Sequence, residues 1–375
     1  MSHLRRMTGL AIGALVVTLA AACSPGGGSG SSGGGSGAQD RGSSNSATIR
    51  QLEQEPTTIP ITTPLPAKPP SGSTFVFLKC DVPQCDQQAT AYAAVAKAVG
   101  WTLVTIPFVD TDPSTLATAF QQAVALRPVA VNFGGTPYAL WSRYIPDFEK
   151  IGAIIIPSYI GEAPLSATVP VNVAGPVNDQ SMATKLAQWV ADDSGGTANV
   201  LVQSIGAYNA VVGWAKDFKT ELAKLCSGCK TSDIDSSATQ ISGAGAAQSI
   251  VSQIRKDPSI DYFVGYNGAF FSGLNQALKN AQLKVKVGGL FPLPQNVQDV
   301  MNGSGGAFLA VSNKYTAWAV FDVALRQAEA APQVPLAQQV FPTKLVTKDS
   351  AKVSDGEFNG PVGFEQQFET LWKVG

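Results

Sequence analysis

From residue 74 onward the apolar residues alternate between two rhythms. Thr74 to Leu78, Thr102 to Ile106, Ala130 to Asn132 and Ile154 to Ile156 are short unbroken runs, the pattern of strands buried on both faces. Between them the spacing changes to threes and fours. Tyr92, Val95 and Val99 share one helical face, as do Leu116, Phe120 and Val124, and a further helix is expected around Trp141 to Ile151. Asp112-Pro113 predicts an N-cap with proline at the first helical position. A second series follows Val171. Met182, Leu186, Trp189 and Val190 mark a helix, Asn199 to Val202 a strand, and Val211, Ala215, Phe218, Leu222 and Leu225 an amphipathic helix. Ala247, Ile250, Val251 and Ile254 mark another helix, ending near Asp257-Pro258. Tyr262 to Val264, Val285 to Val287 and Phe308 to Val311 read as strands; one helix runs from about Phe270 to Ala281 and a last one carries Trp318, Phe321 and Leu325. Strands alternating with helices predict an α/β protein with parallel sheets, built as two similar units of about 100–130 residues each.

The first 72 residues break this pattern. Arg5 and Arg6 precede a 13-residue apolar run from Leu10 to Ala22. A spanning helix needs about 20 such residues, so 1–22 reads as a signal peptide. Ala20, Ala21 and Ala22 before Cys23 resemble the lipobox of bacterial lipoproteins, in which the cysteine is diacylated and becomes the new N-terminus. The alternative is ordinary secretion, with Cys23 left as a free thiol. Ser24 to Gly37 is almost wholly Gly and Ser and Pro56 to Pro70 is rich in Pro and Thr, so 23–72 is expected to be a tether. No strand precedes the glycines and no Lys-Ser/Thr closes them, which argues against a phosphate loop.

Composition then narrows the chemistry. The only histidine is His3, and removing 1–22 leaves none, which excludes a Ser-His-Asp or Cys-His arrangement and every His-ligated metal site. Losing Arg5 and Arg6 leaves 24 basic against 27 acidic residues, a net charge of −3, which points away from nucleic acid. Cys80 with Cys85 and Cys226 with Cys229 are close pairs that predict two local disulfides. A redox motif at Cys226-Ser-Gly-Cys229, or one zinc site held by all four cysteines, are the alternatives. Asp81, Asp110, Asp179, Asp233 and Asp235 are scattered without the spacing of an acid–base pair. Gly243-Ala-Gly245-Ala-Ala-Gln248 is one residue short of a dinucleotide fingerprint and reads as the entry to the Ala247 helix. No catalytic residue, metal or cofactor is expected.

Over nearly all of Thr74 to Val353 the order of segments resembles the type I periplasmic binding proteins, specifically the ribose-type sugar-binding subgroup serving ABC importers. Val171-Asn-Val-Ala-Gly175 looks like the first crossing between lobes. Asp261-Tyr-Phe-Val-Gly-Tyr-Asn267 stands in the place of the family's apolar strand ending in Asn-Asp. Leu309-Ala-Val-Ser-Asn313 looks like the second crossing, and Pro342-Thr-Lys-Leu-Val-Thr-Lys348 resembles the closing strand, reached by a third. The resemblance implies two Rossmann-like lobes joined by three hinge strands, one from 73–174 plus 313–335 and one from 175–312 plus 336–375. It implies a small-molecule solute, sugar or sugar-like, held at the carboxyl ends of the strands. The implied contacts are Asp81, Gln84, Asn132, Phe133, Ser158, Tyr159, Tyr208, Asn267, Phe291, Asn313 and Tyr315. The partner would be an ABC transporter permease, met by a monomer whose only membrane contact is its lipid anchor.

Three departures open the ligand class. Val212, Gly213 and Trp214 stand where the subgroup usually places Arg, Gly288-Gly-Leu-Phe291 replaces a strand ending in Gly-x-Asp, and Asn267-Gly268 replaces Asn-Asp. Charged groups that grip ring hydroxyls are therefore missing. Aromatic side chains suit a sugar ring, but equally an aromatic or weakly polar solute. Two rival readings use the same residues: a ligand sensor for a membrane receptor, and an extracytoplasmic enzyme working with carboxylates.

Overall fold

The computed structural model describes residues 47–374 except 111, 243–244 and 304–305, so the expected signal peptide, Cys23 and the Gly/Ser tract lie outside the described residues. Four strands form a first sheet: β1 Thr74–Lys79, β2 Thr102–Pro107, β3 Ala130–Gly134 and β4 Ile154–Ser158. A second sheet holds β5 Asn199–Ser204, β6 Lys230–Asp235, β7 Tyr262–Gly265, β8 Lys286–Leu290, β9 Phe308–Val311 and β10 Thr343–Val346. The first runs β2-β1-β3-β4, all parallel. The second runs β10-β9-β8-β7-β5-β6, parallel except for β10 against β9. Their cores follow the apolar runs: β4 is buried throughout, and so are β7 and β9.

The chain crosses between the sheets after β4, where Val173 pairs with Ser158 in a parallel bridge. It crosses back after β9, because the Asn313–Ala328 helix packs on the Pro83–Val99 helix and on β4. A third crossing leads to β10. Among the described residues no helix is long and apolar enough to cross a membrane.

Most elements form for the reasons visible in the sequence. Asp112 caps the Pro113–Ala125 helix, its carboxylate accepting the Ser114 N–H at 2.9 Å, and that helix buries Leu116, Ala119, Phe120 and Ala123. The Asn209–Leu225 helix buries Val211, Trp214, Ala215, Phe218 and Leu222, but Leu225 at its end is exposed. Both cysteine pairs are disulfides, Cys80–Cys85 and Cys226–Cys229, so a single zinc site held by all four cysteines does not apply. Cys226 is the C-cap of its helix, whereas a redox cysteine normally opens one. Gly245 opens the Gly245–Lys256 helix, as the entry reading expects.

Three parts differ from expectation. β6, Lys-Thr-Ser-Asp-Ile-Asp, is a polar edge strand in which only Ile234 is buried, so it carries no hydrophobic signal. β8 runs on through Gly288 and Gly289, where a Cβ would come within 2.8 Å of the Trp189 ring at Gly288 and of the Gly265 carbonyl oxygen at Gly289. The third is the supposed tether. Residues 47–72 lie on the folded body, with Ile49, Ile59, Ile61 and Leu65 buried. The Ala47–Leu52 helix packs on the Pro176–Asp193 helix and β10. The irregular run beyond it hydrogen-bonds the C-terminal helix Phe364–Trp372 (Leu65 N–H to Leu371 O, 2.8 Å) and ends near Trp101, whose indole N–H donates to Pro70 O at 2.8 Å.

One buried ion pair clasps this strap. Arg326 Nε donates to Asp322 Oδ2 at 2.7 Å and its Nη2 to Thr63 O at 2.6 Å, while Trp372 Nε1 donates to Asp322 Oδ1 at 2.8 Å. Trp372 also stacks on Trp318 with centroids 5.2 Å apart, so the last helix sits on the Asn313–Ala328 helix of the first lobe rather than on the second sheet. Removing one partner of a buried pair leaves an uncompensated charge. Asp322→Ala is expected to destabilise the protein by about 3–5 kcal/mol in urea unfolding. A loss under about 1 kcal/mol would show that the clasp is not needed.

Candidate functional site

The carboxyl ends of the two sheets face a shared cleft of about 490 Å³. The segment after each strand from β1 to β9, loop or helix start, reaches it: Asp81, Asp110, Gly135, Tyr159, Tyr208, Ile241, Asn267, Phe291 and Asn313 stand in that order. In each sheet the strand order reverses beside the first strand, which is where open α/β sheets leave a crevice. A smaller groove of about 320 Å³ adjoins the cleft and shares Gln84, Phe291 and Asn313 with it.

Seven of the eleven expected residues line the cleft: Asp81, Gln84, Tyr159, Tyr208, Asn267, Phe291 and Asn313. Tyr159 and Phe291 occupy matching places, one residue past β4 and one past β8, both in the left-handed backbone region (φ 54° and 49°). Their rings meet edge to face at 5.7 Å, closing the cleft from both lobes. A bulky residue at positive φ is strained, and such strain persists only where its surroundings impose it. Here they do. Tyr159 N–H donates to Val173 O at 3.0 Å, and its hydroxyl contacts Thr316 Oγ1 and donates to Asn313 Oδ1 at 3.5 Å. Asn313 in turn donates to Gln87 Oε1 at 2.8 Å. Asn267 caps the turn at Gly268–Phe271 by accepting the Ala269 N–H at 2.9 Å.

The other four lie behind the wall. Asn132 donates to Ile156 O and Ser158 Oγ and accepts from Tyr92 at 2.7 Å; Ser158 donates to Phe133 O at 3.1 Å. Phe133 packs edge-on against Phe120 and Trp141. The reason is strand length. β3 and β4 each run two residues further than their apolar runs, so the loops reach the cleft only from Gly134 and Tyr159. Tyr315 points into an aromatic cluster with Phe341, Phe364 and Phe368.

Residues not expected at the cleft include Gln88, Tyr138, Glu162, Tyr266 and Phe270. Gln88 is one helical turn beyond Gln84, and Tyr266 adjoins Asn267, so adjacency could have found both. Phe270 lies parallel to Tyr208, with ring planes 12° apart and centroids at 6.2 Å, a pairing no local pattern encodes.

The electrostatics are acidic. Asp110 N–H approaches Asp81 Oδ1 at 3.4 Å. Asp110 keeps solvent contact at the mouth, yet desolvation by the surrounding walls, followed by repulsion from Asp81, pushes its carboxyl up to about 6. Tyr208 is raised by burial first, then by Asp110 and Asp81. Below the cleft, Tyr266 donates its hydroxyl to Asp179 Oδ1 at 2.9 Å, and burial lifts Asp179 to about 8 against that bond. A carboxyl raised in the folded state holds a proton that the unfolded chain has already released. Asp179 therefore favours folding less and less as the pH rises from about 4 to about 8. Asp179→Asn keeps an acceptor for Tyr266, and its melting temperature should gain on the wild type across that window. Parallel stability profiles of the two proteins would count against the assignment.

No family model matches the sequence, and no curated protein matches it. Solved structures do. A substrate-binding protein of a sugar ABC transport system from Bordetella parapertussis superposes with a TM-score of 0.65 at 15% identity, covering 81% of this chain and 98% of its own. An ABC sugar transporter subunit from Rhodobacter sphaeroides gives 0.63 at 17% identity, with 74% and 99% covered. A periplasmic solute-binding protein of Actinobacillus succinogenes with bound D-allose gives 0.62 at 17%, with 76% and 100% covered. With two parallel-dominated sheets facing one cleft through their carboxyl ends, this chain has the type I periplasmic-binding-protein fold.

Proposed function

We propose that this chain is an extracytoplasmic solute-binding lipoprotein that captures a sugar or sugar-like molecule between its lobes and presents it to an ABC transporter permease. The observation that carries the reading is the cleft itself, about 490 Å³ and lined from both lobes. Its size suits a small ring, and its walls combine aromatic faces with a few polar groups. The likeness to proteins described as sugar-transport components, one holding D-allose, supports a solute of that class. Capture would proceed by hinge closure, the two lobes folding over a ligand held beside the Tyr159 and Phe291 rings, which already meet in this structure, and excluding water. The reading assigns the cleft no reaction, and Asp81 and Asp110 serve as contacts.

Lipid anchoring rests on the sequence alone, through Cys23 after three alanines. The linker to that anchor is then shorter than composition indicates, because 47–72 belongs to the folded body.

A thermal-shift panel of pentoses, hexoses, polyols and nucleosides, on protein lacking 1–22 with Cys23→Ser, tests the reading. A bound solute at a hundred times its Kd should add about 2.7 kcal/mol of stability. Phe291→Ala should weaken that solute's binding by about tenfold or more, the loss of one aromatic contact. The absence of any shift, with this panel and with amine-bearing solutes alike, would remove the transport reading in favour of a protein ligand.

A further inference from the structure

The cleft holds an unbalanced charge. Its lining contains Asp81, Asp110 and Glu162 and, among the described residues, no Lys or Arg; the chain's one histidine is His3. None of the three carboxylates takes part in an ion pair among the described residues, while the nearby Lys79 is paired with Asp86 at 2.6 Å. Asp81 and Asp110 lie side by side, from the loops after β1 and β2, and the Cys80–Cys85 disulfide ties down the loop that carries Asp81. Closing two lobes over adjacent carboxylates strips their water, which is costly unless a positive charge arrives with the ligand. A bare metal ion fits poorly, since no group of three or more His, Cys, Asp or Glu side chains among the described residues could hold one. An independent feature stands beside the acids. Tyr208 and Phe270 present near-parallel rings to the same cleft, and aromatic faces attract ammonium groups. Tyr208, Phe270, Asp81 and Asp110 all line this one cleft.

We propose that the solute is a small ring compound bearing a protonated amine, its ammonium group held by Asp81 and Asp110 beside the Tyr208 and Phe270 rings. The inference rests on the reading of the cleft as a solute site and selects the solute's charge. Two sources share this chemistry, an amino sugar and an arylalkylamine. Anionic solutes such as uronates and sugar phosphates are disfavoured by the same carboxylates.

Titration calorimetry near neutral pH separates the cases. One arm compares D-glucosamine with D-glucose and N-acetyl-D-glucosamine, the other benzylamine with benzyl alcohol. In at least one arm the amine should bind about tenfold or more tighter than its neutral counterparts, the usual margin of a charge-assisted hydrogen bond. Asp81→Asn and Asp110→Asn together should bring that ratio towards one. If a neutral member binds as tightly as its amine, or if the double variant keeps the preference, the amine inference fails while solute capture stands. Binding in neither arm overturns the amine inference, and the separate panel of neutral solutes then decides the broader reading.

Discussion

Right-handed crossovers between parallel strands put the helices before and after a reversal of strand order on opposite faces of the sheet, so the loops there diverge and leave a gap at the carboxyl edge. This chain contains that reversal twice, with β1 between β2 and β3 and β5 between β7 and β6. Two such edges facing one another make the cleft. The groups available for recognition therefore come from loops and the first turns of helices, while the strands serve as a buried frame: Asn132 and Ser158, still inside β3 and β4, spend their hydrogen bonds on the sheet.

The hinge region concentrates strain and polar contact together. Tyr159 and Phe291 are held in left-handed backbone from opposite lobes, and Tyr159 is braced by Thr316 and Asn313 from the helix that returns across the gap. On the side away from the cleft, residues 47–72 run from the second lobe to the first, clasped by the Asp322–Arg326 pair and the last helix. None of these residues lines the cleft. Under the proposed hinge closure, a rotation of the lobes would carry this strap with it.

The charge of the cleft is one-sided. The second lobe offers Val212, Gly213 and Trp214, the departure from Arg already visible in the sequence, and the first lobe offers two adjacent carboxylates. Electrostatic balance must then come from the ligand or from protons, and the upward shift of Asp110 is the proton-based half of that choice.

Much of the fold could be read from the chain because strands buried on both faces are continuous apolar runs and their helices keep a strict apolar face. β6 escaped because an edge strand facing water carries polar residues, and 47–72 was misread because its four buried apolar side chains follow no period within a Pro- and Thr-rich composition. Four site residues were misplaced because strand ends are set by pairing with neighbours, which extended β3 and β4 by two residues, and because Tyr315 turns towards Phe341 and Phe364. By itself the sequence determined the α/β class, the two parallel-sheet lobes and the disulfide pairs, all of them local or compositional properties. Only the tertiary structure decided that Asp81 meets Asp110 and that Tyr208 lies parallel to Phe270, since contacts between distant loops depend on sheet order and on how two sheets face each other.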